Sequence, residues 1–165
     1  MTRSTWIALS VAAAMLAPLA AQAASADTIP AVATAPADGV QRLKSNFGFD
    51  ETLARLKADI ATKGIRFFDA IDQAELGAGA NIKTRRSTLV LFGNPPLGVQ
   101  FLTSNPLAGL DWPVRMLVVE DADGGVWVAW SDFDWIGKRY RIGDRAAQLR
   151  MASEVAASIA STATH

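Results

Sequence analysis

The sequence predicts an α+β domain in two layers, a mixed sheet packed against helices in the order β-α-β-turn-β-α-β-β-α. Three features predict it. The stretch "GFDETLARLKADIATKG" spaces Phe49, Leu53, Leu56 and Ile60 by four, three and four residues, which is one apolar stripe at the helical period. "STLVLFG", Ser87–Gly93, is a nearly unbroken apolar run, the pattern of a central strand covered on both faces. Residues 113–120 and 126–131 flank the turn-rich "DADGG" and form a hairpin. Helices and strands otherwise interleave, so the hairpin makes the sheet mixed.

Taken in order, residues 1–23 have the build of a secretory signal peptide. A short positive start precedes an apolar stretch, and "AQA" offers small residues for cleavage after Ala23. The stretch is short for a membrane span and much of it is weakly apolar alanine. Export to the periplasm or beyond follows, with no membrane span left after cleavage. Residues 24–39, rich in Ala, Pro and Thr, read as a disordered tether. One folded domain then occupies 40–162. It opens on an edge strand at 40–46, and the first helix is capped by Gly48 or Asp50 and stopped by Gly64. A β-branched and aromatic strand at 65–71 follows, then a short helical turn in "DQAELGAGA".

Asn-Pro occurs at Asn94-Pro95 and again at Asn105-Pro106. The first pair opens a short helix, with Asn94 as N-cap and Pro95 at the first helical position, where no N–H is needed. Asn105 closes it in the left-handed conformation and Pro106 prevents it from resuming. A final helix runs from Asp144 to about Ser161, with Met151, Val155 and Ile159 four apart.

Composition excludes several chemistries. The 16 basic and 16 acidic side chains balance, and losing Arg3 with the signal leaves one negative charge, so no nucleic-acid partner is expected. The chain has no cysteine, and His165, the last residue, is its one histidine, at an end expected to fray. Disulfides, thiol catalysis, thiolate metal sites and a Ser-His-Asp arrangement within the domain are thereby removed, and neither a metal nor a cofactor is expected.

The residues left as candidates for ligand binding are Asp72, Asn94, Trp112, Trp130 and Asp132. Prolines 95 and 96 lack the N–H groups that a phosphate cradle needs, so Asn94 reads first as a cap. The late aromatics, Trp112, Trp127, Trp130, Phe133, Trp135 and Tyr140, suit a core, a dimer surface or a pocket for a small apolar or aromatic ligand. Trp127 and Trp130, three apart on a strand, face opposite sides. "DADGG" lacks the closing Glu of a calcium loop and reads as a turn. Asp132 or Asp134 could pair with Asp72 as acid and base only if the fold brought them together.

The segments "ETLARLKADIATKGIRFFDAID", "LVLFGNPPLG", "LDWPVRMLVVEDADGGVWVAW" and, more weakly, "FDWIGKRYRI" resemble the bacterial family called domain of unknown function 302 in both order and spacing. The resemblance covers residues 49–142. It implies a small α+β domain, often exported and forming a homodimer, with no established activity. Many such proteins read Asp-His after the second strand and Arg-His after the hairpin. This chain has Asp72-Gln73 and Arg139-Tyr140 instead. If those histidines bind metal or move protons in the family, this chain has lost both groups. The expectation is an exported, non-catalytic module that binds a small ligand or another envelope protein. The alternative is a carboxylate-dependent hydrolase or isomerase of the envelope.

Overall fold

The computed structural model describes residues 38–165. The expected signal peptide and nearly all of the expected tether lie outside the described residues. In chain order the elements are β1 (Val40–Lys44), α1 (Phe49–Thr62), β2 (Arg66–Asp72), α2 (Gln73–Gly79), β3 (Ser87–Gly93), α3 (Pro95–Ser104), a 3-10 helix (Pro106–Asp111), β4 (Val114–Glu120), β5 (Val126–Ser131), α4 (Phe133–Arg139) and α5 (Ala146–Thr164). The α+β class is as expected. The five strands lie in the order β1-β5-β4-β3-β2, and every neighbouring pair is antiparallel. The sheet is therefore not mixed. A parallel return needs a connection that crosses the sheet. Helix α2 is only seven residues long and buries none of them, so β2 simply turns back into β3.

Helices α1 and α5 pack on each other and cover one face of the sheet. Alternate strand residues point to them: Val90 and Phe92 on β3, Met116 and Val118 on β4, Val128 and Trp130 on β5. These join Leu56 and Ile60 of α1 and Ile159 of α5 in one core, where burial of each such side chain contributes about 1.5–3 kcal/mol. The buried stripe of α5 differs from the expected one. Leu149, Ala152, Ala156, Ile159, Ala160 and Ala163 are buried, whereas Met151 is 53% exposed. Alanines let this helix approach closely, so spacing of the large residues alone misplaced its inner face.

The end of α5 is not frayed. The Asn46 N–H donates to the Thr164 carbonyl at 2.9 Å, and the Arg55 guanidinium donates to that of Thr162. Asp144 does not cap α5; its carboxylate accepts from the Ser104 hydroxyl at 2.7 Å, and Arg145 holds the N-cap position without a side-chain bond. Helix α4 and the 3-10 helix were not foreseen. Asp132 caps α4 by accepting from the Trp135 N–H at 2.7 Å, while Phe133 and Ile136, three apart, are buried.

The two Asn-Pro pairs do bracket α3, but their asparagines exchange roles. The Asn94 carbonyl accepts from both Leu97 N–H and Gly98 N–H, at 3.1 and 2.9 Å, and its side chain makes no capping bond. With two prolines next in line, Leu97 offers the first helical N–H, and that donor is already taken by the backbone. Asn105 is extended, at φ −149°, and not left-handed. Its side chain accepts from the Leu107 N–H at 2.9 Å, capping the 3-10 helix, and donates to the Tyr140 carbonyl at 2.8 Å. Asn105→Ala is therefore expected to cost ~0.5–2 kcal/mol, and Asn94→Ala less than about 0.5 kcal/mol, in urea melts. Equal losses would refute this assignment of the cap.

Candidate functional site

The face turned to α1 and α5 takes alternate side chains of the strands, half of those in the sheet. The others form a second face, and β3 is therefore not covered on both sides as its composition predicted. Cross-strand register sets three rows there. Ile71, Leu89, Leu117, Ala129 and Arg42 lie side by side across all five strands. Ser87, Val119, Trp127 and Lys44 form the next row, and Asp69, Leu91 and Arg115 the one on the other side. None of these side chains is buried. The centre is apolar and the charges lie toward the margins.

Two shallow depressions mark this face. One of about 320 Å³ is lined by Val40, Leu89, Arg115, Leu117, Ala129 and Ser131, with the edge of Trp130. The other, of about 450 Å³, lies over Val40, Arg42, Val119, Asp121, Trp127 and Ala129. Trp127 is fixed by the hairpin turn. Its indole N–H donates to Asp121 at 2.7 Å, and the same carboxylate accepts from the N–H groups of Gly125 and Asp123 at 2.7 and 2.9 Å. The Trp127 bond first, and the turn N–H groups after it, hold the Asp121 carboxyl below its ordinary value. This bonding is present above the ordinary carboxylate range and is lost as pH falls through the lowered value.

The expected ligand residues do not form one site. Asn94 and Trp112 do meet, at an apolar cavity of about 40 Å³ between α3, α5 and the end of the sheet. The Trp112 indole is seated on glycines: a Cβ at Gly98 would lie 1.7 Å from Trp112 Nε1, and one at Gly93 would lie 3.3 Å away. Phe68 meets the same ring edge-on at 5.9 Å. Trp130 is in the core, 7% exposed. Asp72 caps α2, accepting from the N–H groups of Ala74 and Glu75 at 2.9 and 3.0 Å. Asp132 caps α4 and also accepts from Gln41 Nε2 at 2.8 Å.

Register places Asp72 beside Thr88, at the start of β3, whereas Asp132 follows the last residue of β5, at the other end of the sheet. The two carboxylates are thus separated both along the strands and across the sheet from β2 to β5, by roughly 20 Å, and form no acid-base pair. Gln73 and Tyr140 are separated in the same way. Gln73 accepts from the Ser87 hydroxyl at 2.7 Å at the start of β3, while Tyr140 lies beside Asp111, before the start of β4.

Asp111 is the buried charge that sequence reasoning missed. Its side chain is 3% exposed and accepts from Tyr140 OH at 2.6 Å, from Arg139 Nη1 at 3.4 Å and from Arg115 Nη2. The four-residue spacing of Asp111 and Arg115 was visible, but nothing in it revealed that α4 would fold back over both. The bond to Asp111, with burial next, raises the Tyr140 pKa above the ordinary tyrosine value of about 10. Tyr140 is the chain's one tyrosine, so phenolate absorbance in an alkaline titration reads it alone. The midpoint should lie above the ordinary value and fall in Asp111→Asn. Because the folded pKa is the raised one, stability from this bond is full below the ordinary value and lost as pH rises through the folded value. An ordinary midpoint in the wild type would contradict this.

A small antiparallel α+β domain, helices on one face of its sheet and an apolar centre on the other, is the class that this geometry defines. The chain belongs to the family described as domain of unknown function DUF302, which matches residues 41–162. A crystal structure of an uncharacterized conserved DUF302 protein from Bacillus stearothermophilus shares the fold, with a TM-score of 0.67 at 15% identity, covering 76% of this chain and 98% of that one. Among curated relatives, the protein named fluoride-specific ion channel FluC 1 of Brucella suis is 29% identical over 146 residues, and FluC 1 of Brucella abortus is equally similar. Each match covers 85% of this chain, but only 58% and 54% of the respective relatives. The chain thus spans just over half the length of the relatives it matches.

Proposed function

We propose that the protein is an exported, non-catalytic interaction module that uses the second face of its sheet to bind another copy of itself. The observation that carries this reading is the row Ile71–Leu89–Leu117–Ala129, apolar and unburied at the middle of the sheet. Five strands about 4.8 Å apart, each roughly six residues long at about 3.4 Å per residue, make a face on the order of 500 Å². Two copies then cover ~1,000 Å² together, the lower bound for a specific interface. A small ligand fits less well, because the depressions are shallow and ligand sites enclose most of the molecule they hold.

Charge distribution supports a second copy. Lys44 lies on β1 at one edge of the sheet, beside Arg42, which is already paired with Asp38, and Asp69 lies on β2 at the other edge. A two-fold axis along the strands lays one β1 edge over the other copy's β2 edge, which sets unlike charges together. Arg115, nearer the centre, is already paired with Asp111. The carboxylates of Asp72 and Asp132 are engaged as helix caps, which favours a non-catalytic role over a carboxylate-dependent enzyme.

Residues 1–23 supply the export signal in this reading, and the product is periplasmic or secreted. Among the described residues no helix is long and apolar enough to cross a membrane. Sedimentation equilibrium of the mature chain tests the proposal: a mass twice that of one chain is expected, and one-chain mass throughout the micromolar range would refute it.

A further inference from the structure

We propose that Arg115 and Arg139 form a binding site for a small oxyanion, of the carboxylate or phosphate type, built on the buried carboxylate of Asp111. Asp111 needs partners because its side chain is only 3% exposed, and Tyr140 OH with one guanidinium would serve. The chain supplies two. Arg115 and Arg139 approach opposite oxygens of the carboxylate, Oδ1 and Oδ2, which leaves the group with one surplus positive charge.

Each guanidinium makes a single hydrogen bond among the described residues, to Asp111, while its side chain remains 42% or 46% exposed. Four of the five N–H donors on each are left without a protein acceptor. Both are also held in place. Arg115 is tied to Asp111 from within β4. Arg139 lies over the rings of Trp135 and Tyr140, with its central carbon 5.1 and 5.2 Å from their centroids. Contact with two ring faces restrains the Arg139 guanidinium without using its N–H groups, which stay available for a planar or tetrahedral oxyanion. Pre-ordering of this kind lowers the entropy lost on binding. Arg139 stands on α4, outside the rows of the sheet face, whereas Arg115 lies in one of them, so anion binding is measured in Leu117→Arg as well as in wild type, which keeps failure of this site distinct from failure of pairing.

The test is calorimetric titration of the mature chain with inorganic phosphate and with acetate, each at constant ionic strength in chloride. One anion per chain is expected to bind, and Arg139→Gln is expected to weaken it at least about tenfold. Arg139 is half-exposed, so the variant should keep the wild-type melting temperature in anion-free buffer. Arg139→Lys retains the charge but loses the fork and the stack, and should lose nearly as much affinity as Arg139→Gln. The proposal is overturned if wild type binds neither anion, if Arg139→Gln binds as tightly as wild type, or if Arg139→Lys does.

Discussion

Leu117→Arg should give a folded protein that no longer pairs. Leu117 lies at the middle of the central strand, between Leu89 and Ala129. In the single chain its side chain is half-buried and none of its neighbours in the row lies in the helix-facing core, so stability should change by less than about 1 kcal/mol. In the pair the same residue lies at the centre of the contact in both copies. Each copy loses a buried leucine, worth about 1.5–3 kcal/mol, and each brings an unpaired charge into an apolar interface, which costs several kcal/mol more. Self-association should weaken at least about a hundredfold. Ala54→Arg, on the exposed outer side of α1, adds the same single positive charge and is the matched control; it should leave the mass unchanged. If Leu117→Arg sedimented as the wild type does, the sheet face would not be the interface.

Gly98→Ala should destabilise the domain by about 2 kcal/mol, although alanine is the better helix former. Two effects of opposite sign compete. Within α3, replacing glycine by alanine favours the helix by about 1 kcal/mol. Against that, the new Cβ would lie 1.7 Å from Trp112 Nε1 and 2.4 Å from Cδ1 and Cε2. Side-chain adjustment by a few tenths of an ångström cannot relieve that overlap. The indole has to leave its seat, losing Gly93 and the edge-on contact with Phe68, at an overpacking cost of roughly 3 kcal/mol. The clash wins. Gly79→Ala, at the end of α2 where a Cβ meets nothing within 4 Å, is the control and should be neutral or slightly stabilising. Urea melts of the two variants compare them directly, and a neutral Gly98→Ala would show that Trp112 is not held on Gly98.

Much of the fold was legible in the sequence because local signals and packing agreed. The stripe of α1, the strand pattern of β2, the turn of "DADGG" and the helix between the Asn-Pro pairs each combine a period with its own punctuation. What was illegible depended on partners distant in the chain. The direction of β2 against β3 is set by a helix too short to cross the sheet, which composition does not show. The inner face of α5 is made of alanines, whose small size hides them from any count of large apolar residues. The cap at Asn105 rather than Asn94 turned on which N–H groups the neighbouring prolines had removed.

The apolar run of β3 predicts burial on both faces, and the structure gives it burial on one. Leu89 and Leu91 thus became the clue to an interaction surface instead of a two-sided core. Asp111, Arg115, Arg139 and Tyr140 come from three separate segments, and only the fold-back of α4 brings them together.

Accessibility of Ala129 tests most directly whether a second copy covers this face. The chain has no cysteine, so Ala129→Cys introduces a single thiol beside Leu117 and Arg42, with little change in volume. Its rate of labelling by a small thiol reagent should fall as protein concentration rises through the range in which the sedimenting mass doubles. In Ala129→Cys combined with Leu117→Arg, the rate should stay high throughout. A rate for the single variant that is independent of concentration while the mass doubles would contradict the account, because the copies would then be meeting through another surface.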